Sequence, residues 1–209
     1  MTDLVFYTNP MSRGRVVRWM LEEIGQPYET KVISYGPEMK SDAYRAINPL
    51  GKVPALVHSG KVITECAAIC AYLADAFPEA GLAPALDARA DYYRWLFFSS
   101  GPMETCLVNR SMGFEVSPER QRQAGYGVYE DMLDVAEMAV SGKTYIAGGS
   151  FSAADVYFGM NLEWAMQFGT VEPRPAFKAY VANLNQRPAY KRATELDDSL
   201  IPADGAQPA

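Results

Sequence analysis

Over 209 residues the chain has one histidine, three cysteines and no long apolar run. Each scarcity removes a class of function. A lone histidine, His58, with no cluster of Cys and His around it argues against a zinc site or a histidine-based triad. Three cysteines without a paired framework fit a reducing compartment, so cytoplasm is the expected location. No stretch reaches the ~18 apolar residues of a membrane-spanning helix, and no membrane partner is expected. The opening Met1-Thr2-Asp3-Leu4-Val5 is acidic and lacks the shape of a secretory signal. Basic residues are outnumbered, 19 against 25 acidic ones, and the net charge of −6 speaks against a nucleic-acid partner. Basic residues do concentrate locally at Arg13, Arg15 and Arg18. His58, in Val57-His58-Ser59-Gly60, reads as a surface residue beside a hairpin turn.

What is present has a clear order. Leu4-Val5-Phe6-Tyr7 is a short apolar strand that ends at Thr8-Asn9-Pro10. Helical spacing follows from Arg15, with Val16, Val17, Met20, Leu21 and Ile24 on one face and Gly25 as the stop. A second strand over 28–33, parallel to the first, would complete a βαβ unit with a right-handed crossover. Residues 38–47 suggest a short irregular helix. The segments 54–57 and 61–64 pair as a hairpin across Ser59-Gly60, and a helix rich in small residues runs on towards Pro78. The order is β-α-β-α-β-β-α. Residues 79–86 read as a linker, and beyond them only helices are expected, at about 87–112, 118–140, 152–167, 174–186 and 188–195. Ser152-Ala153-Ala154-Asp155 is a capping box, and the tail from Ile201 is expected to be loose.

Two stretches about ten residues apart carry the functional signal: Asn48-Pro49-Leu50-Gly51-Lys52-Val53-Pro54-Ala55-Leu56 and Ile63-Thr64-Glu65-Cys66-Ala67-Ala68-Ile69. A strand can begin at Pro54, whose missing N–H the ladder does not need. With a cis Val53–Pro54 bond, Val53 would turn its N–H and C=O outward to pair with an extended peptide. The second stretch opens a helix, where backbone donors and the helix dipole meet an anion. A small acidic peptide needs both.

These residues resemble the glutathione site of the cytosolic glutathione transferases, which join a thioredoxin-like α/β domain to an all-α helical one. The resemblance implies residues 1–78 as the glutathione-binding domain, a linker at 79–86 and a helical domain over 87–209. It also implies that Val53 and Pro54 meet the cysteinyl backbone of glutathione and that Glu65-Cys66 holds its γ-glutamyl end, with Cys66 where Ser is usual. Lys52 and Lys40 become candidates for the ligand's carboxylates, and Arg13 or Arg15 could also reach the site. The implied partners are glutathione as co-substrate and a small apolar electrophile. A homodimer without metal, working in detoxification, completes the expectation.

Conjugation needs the thiolate, and a free thiol of pKa ~8.5 is only a few per cent ionised at neutral pH. Lowering that pKa by two units takes about 2.7 kcal/mol of preference for the anion. One hydrogen bond to a charged group supplies roughly 1.5–3 kcal/mol, and a helix N-terminus about 0.3–1 more. One donor near the first helix is therefore enough. Ser12 is positioned to be that donor. Pro10-Met11-Ser12-Arg13-Gly14-Arg15 precedes the helix, Ser is a favoured N-cap, and the run is similar to a serine-type bacterial and fungal branch of the family. Tyr7 is a rival, because counting back from Arg18-Trp19 aligns it with the catalytic tyrosine of other classes. Asn9 is a third candidate, since its amide can also donate.

For the electrophile, Tyr93, Phe97, Met103 and Leu107 lie in an aromatic-rich stretch that Ser99-Ser100-Gly101-Pro102 should bend. Two other activities stay open on the same residues: a glutathione-dependent peroxidase or reductase, and a non-catalytic glutathione-binding or scaffold protein.

Overall fold

Leu4, Phe6 and Thr8 point one way along β1 (Leu4–Thr8) and are fully buried, while Val5 and Tyr7 point the other way and are half-buried. That alternation is the period of a strand between two layers. The structure, a computed structural model, describes residues 3–201. Met1, Thr2 and the tail after Ile201, expected to be loose, lie outside them.

The apolar positions expected on one helix face are all buried in α1 (Gly14–Ile24), which Gly25 ends at φ 67°. β2 (Glu29–Val32) then runs parallel to β1. α2 (Asp42–Arg45) is a single turn whose start is capped by Ser41, the hydroxyl accepting the Tyr44 N–H at 3.2 Å. β3 (Ala55–His58) and β4 (Lys61–Thr64) form the expected hairpin. Its Ser59 and Gly60 have φ of 49° and 75°, the left-handed pair that a two-residue hairpin turn requires. The sheet order is β2-β1-β3-β4, with β3 antiparallel to both neighbours. α3 (Cys66–Ala76) packs with α1 against one face. Ile33, Met39 and Tyr44 form a separate apolar cluster with Tyr7, Ile47 and Val53. His58 departs from the surface reading: its Nδ1 lies 2.9 Å from the Tyr72 hydroxyl and its ring packs on Phe77.

From Gly81 to Gln186 the chain forms a second compact unit. Within it the helix expected over 87–112 is divided into α4 (Ala90–Phe98) and α5 (Glu104–Ser111) by a π-helical turn at Ser99–Met103. Pro102, which has no N–H to give the ladder, lies inside that turn. The helix expected over 118–140 is likewise shorter. A 3-10 turn covers Pro118–Gln123, Gly127 takes φ 68°, and only α6 (Tyr129–Val140) is helical. α7 (Ala153–Gln167) is buried almost all round from Ala153 to Leu162, and α8 (Pro175–Leu184) packs on it. The capping box is present: Asp155 accepts from the backbone of Ser152 and Ile146, the Ser152 hydroxyl and Tyr180. Burial pushes its carboxyl upward and those four donors pull it back.

α9 (Pro188–Asp198) groups with the first unit, where the sequence reading ran a helical domain over 87–209. The physical reason is its inner face. Asp197 meets Arg18, and Tyr190 stacks edge-on against Trp19 with ring centroids 5.0 Å apart. No helix among the described residues is long and apolar enough to cross a membrane.

Candidate functional site

Strand register assembles the site. Tyr7 of β1 lies opposite Ala55 of β3, and Ala55 lies opposite Thr64 of β4. The next residue along each strand is Thr8, Pro54 and Glu65. The sheet therefore brings the loop after β1, the proline loop and the start of α3 to one edge, all within the first unit.

At the centre of that edge the Val53–Pro54 bond is cis. Neither backbone group of Val53 has a backbone partner among the described residues. The loop ahead of it is held from several sides. Asn48 is buried; its amide donates to the Lys52 C=O at 2.8 Å, and its oxygen accepts the Leu50 N–H at 3.1 Å. The Tyr44 hydroxyl donates to the same Lys52 C=O at 2.8 Å. The Lys40 ammonium donates to the carbonyls of Leu50 and Gly51 at 3.0 and 2.7 Å. Lys40 is thus a clamp on the loop, whereas the Lys52 side chain is exposed.

Glu65 is exposed and takes φ 66°, ψ 117°, a costly conformation for a residue with a Cβ, and such residues cluster at functional sites. The first helical hydrogen bond of α3 runs from the Ile69 N–H to the Glu65 C=O at 2.9 Å. The Ala67 and Ala68 N–H groups precede it and point out of the helix start. Cys66 is 9% exposed, and its thiol faces the Arg13 carbonyl at 3.6 Å. The thiol thereby ties the start of α3 to the start of α1.

The loop after β1 is tightly wound. Asn9 is fully buried; its amide donates to the Ile33 C=O and its oxygen accepts the Met11 N–H, both at 3.0 Å. Its side chain is thereby committed to shaping the loop from a fully buried position. Ser12 is half-buried and lies one residue before the N-cap, which is Arg13. The Ser12 hydroxyl accepts the Gly14 N–H at 2.9 Å and donates to the Asn9 C=O at 2.7 Å. Gly14 is required here: an added Cβ would collide with Thr8 Oγ1 and approach Ser12 Oγ to 3.0 Å. Arg15 is engaged by the Pro10 carbonyl and Asp198, both at 2.6 Å, while Arg13 is exposed. Tyr7 lies apart from this group. It points away from the α1 side of the sheet and packs on Tyr44, ring centroids 5.9 Å apart, with the Lys31 ammonium over its ring.

Residues 11–76 match the family described as Glutathione S-transferase, N-terminal domain, and residues 105–188 match Glutathione S-transferase, C-terminal domain. The chain belongs to the glutathione S-transferase family. Protein LigF of Sphingobium sp. strain SYK-6 is 30% identical, over 76% of this chain and 79% of that protein. Glutathione S-transferase GST-4.5 of Xanthomonas campestris is 28% identical, over 78% and 83% of the two chains. Among solved structures, a sphingomonad glutathione S-transferase complexed with glutathione superposes with a TM-score of 0.75. It is 29% identical and covers 93% of this chain and 98% of its own.

In this glutathione S-transferase family member the four residues expected to meet an electrophile differ in access. Tyr93 and Phe97 on α4 are exposed, Phe97 to 70%, and Leu107 on α5 is half-buried. Met103 has no exposed surface: the π turn directs it inward, where its sulfur lies 3.9 Å from the Ser99 hydroxyl. Two contributors escaped the sequence reading. Asn48 carried a signal, since Asn before Pro and Gly shapes its own turn through side-chain hydrogen bonds. Tyr35, whose hydroxyl donates to the Met11 carbonyl at 3.0 Å, carried none.

Proposed function

We propose that this protein is a glutathione transferase that joins the glutathione sulfur to small apolar electrophiles. The observation that carries the reading is the common edge formed by the registered ends of β1, β3 and β4. There the open backbone of Val53 suits the cysteinyl unit of an extended tripeptide. The free N–H groups at the start of α3, with Glu65 beside them, suit the γ-glutamyl end. Cys66, a weak donor, leaves more of that carboxylate to the backbone. Lys52, exposed next to Val53, is read as a cation for the ligand's carboxylates.

The sulfur then lies towards the loop of Ser12. The thiol gives up its proton to solvent, the thiolate attacks the electrophilic carbon, a C–S bond forms, and the leaving group departs with its electron pair. Holding both reactants together makes the attack effectively intramolecular. Ser12 is read as a sulfur donor, as in a serine-type branch. Turning its O–H from the Asn9 carbonyl would cost about 1–3 kcal/mol, comparable to the gain from a charge-assisted bond. The exposed Tyr93 and Phe97, with Leu107, are read as apolar surface for the electrophile. The protein is further read as a cytoplasmic homodimer acting in detoxification; its three free cysteines suit a reducing compartment.

The test is retention on immobilised glutathione together with turnover of aryl halides and hydroperoxides. Retention with aryl-halide turnover is the expected result. Hydroperoxide turnover alone would make the protein a peroxidase, retention without turnover a glutathione binder, and failure of retention would overturn the reading.

A further inference from the structure

The hydroxyl of Ser12 has both of its roles filled by the loop, as acceptor from Gly14 and donor to Asn9. A second hydroxyl lies beside it. Tyr35, from the connection between β2 and α2, reaches over the Met11–Ser12 peptide and donates to the Met11 C=O at 3.0 Å, near the Ser12 side chain. The residue is 39% exposed.

The two donors differ in what they abandon when a ligand arrives. Ser12 would leave the carbonyl of Asn9, a fully buried residue, with only the long 3.4 Å contact from the Thr8 hydroxyl. Tyr35 would leave the carbonyl of Met11, an exposed residue, where water replaces it. A lost hydrogen bond is expensive when the abandoned group is buried and cheap when water can reach it.

We propose that Tyr35 is a catalytic residue of this enzyme, its phenolic O–H turning from the Met11 carbonyl to donate to the glutathione sulfur. The proposal rests on the glutathione reading above and deepens it. Tyr35 then gives the sulfur a donor in addition to Ser12, and at the lower cost. Partial burial holds the phenol above its ordinary pKa, so it carries its proton at neutral pH and is a donor throughout the working range. A charge-assisted phenol–thiolate bond favours the anion over the thiol.

The test compares the wild-type chain with Tyr35→Phe, which removes one oxygen and keeps the ring. The thiolate absorbance of bound glutathione and the conjugation rate are followed against pH. Tyr35→Phe should raise the bound thiol's pKa by about one unit and lower kcat/KM about threefold at neutral pH, approaching about tenfold in acid. The KM for glutathione should rise by no more than about threefold, and unfolding should be unchanged. Adding Ser12→Ala to this variant removes the other donor and should raise the thiol pKa further. An unshifted thiol pKa in a folded Tyr35→Phe variant that still binds glutathione would overturn the role of Tyr35 and leave the transferase reading standing. If the wild-type chain fails to bind glutathione, both fall together.

Discussion

Arg18 offers the sharpest test of how α1, the helix behind the candidate site, is held. Its guanidinium is 3% exposed and bonds Asp197 at 3.1 Å, Thr30 at 2.8 Å and Tyr28 at 3.2 Å, while lying 5.0 Å from the centre of the Phe6 ring. Asp197 is 1% exposed. Arg18→Met keeps most of the volume and removes the charge, leaving the buried Asp197 carboxylate with only the more distant Arg15 as counter-ion. Breaking such a pair costs about 3–5 kcal/mol. The lower end applies, because one Arg18 nitrogen and one Asp197 oxygen already lack partners. For a chain of this size each kcal/mol moves the melting temperature by about 2–4 °C, so a loss of about 6 °C or more is expected.

The control is Asp198→Asn. Asp198 lies closer to its arginine, 2.6 Å from Arg15, yet is 58% exposed, and its loss should stay within about 1 kcal/mol. Burial rather than distance decides the ranking. The effect also has a sign in pH. Burial raises the Asp197 carboxyl above 3.8, and Arg18 pulls it back down. Removing Arg18 therefore raises it further. A raised folded-state pKa gives stability that is present at low pH and lost as pH rises through the folded value. The deficit of Arg18→Met should grow from acid towards neutral pH and then level off, and Arg18→Met/Asp197→Leu should recover most of it. Urea titrations from acid to neutral pH measure this directly. A deficit that shrinks with rising pH, or a ranking in which Asp198→Asn costs as much, would refute the reasoning.

Gly14→Ala places a methyl group against Thr8 and Ser12. It should cost about 1–3 kcal/mol by overpacking and weaken retention on glutathione resin, which urea unfolding and resin elution would report. Tyr7→Phe keeps its ring against Tyr44 and should leave the pH–rate profile of conjugation in place; a shifted profile would return thiol activation to Tyr7. Burial pushes the Cys106 thiol up to about 11. Native protein near pH 8 should therefore leave Cys106 unalkylated by iodoacetamide, while urea-unfolded chain labels it fully, as peptide mass spectrometry would show.

Features set by neighbouring residues were legible in the sequence. The Gly25 stop, the Ser59-Gly60 hairpin and the Ser152–Asp155 box each depend on a few consecutive positions. The two stretches around Val53-Pro54 and Glu65-Cys66 were legible for the same reason, and hairpin register then brings them together. What was not legible depended on partners far along the chain. Nothing near Ser12 announces that its proton goes to the Asn9 carbonyl, nor does Asn9 reveal that its amide goes to Ile33. Lys40 read as a cation for the ligand's carboxylates because its acceptors in the chain, the Leu50 and Gly51 carbonyls, depend on a loop shape invisible in composition. The grouping of α9 with the first unit rests on Arg18 meeting Asp197, a pairing no local pattern encodes.

The aligned row Tyr7, Ala55 and Thr64 has a consequence for how the molecule comes of age during folding. A strand paired one step out of phase would turn every side chain to the wrong side and carry Pro54 or Glu65 out of line with Thr8. Such a chain could be compact and rich in strand yet have nowhere for the tripeptide to lie. Retention on glutathione is thus a roll-call of molecules whose three strands have come into phase. Compared with circular dichroism during refolding, it would separate the moment a sheet exists from the moment the right sheet does.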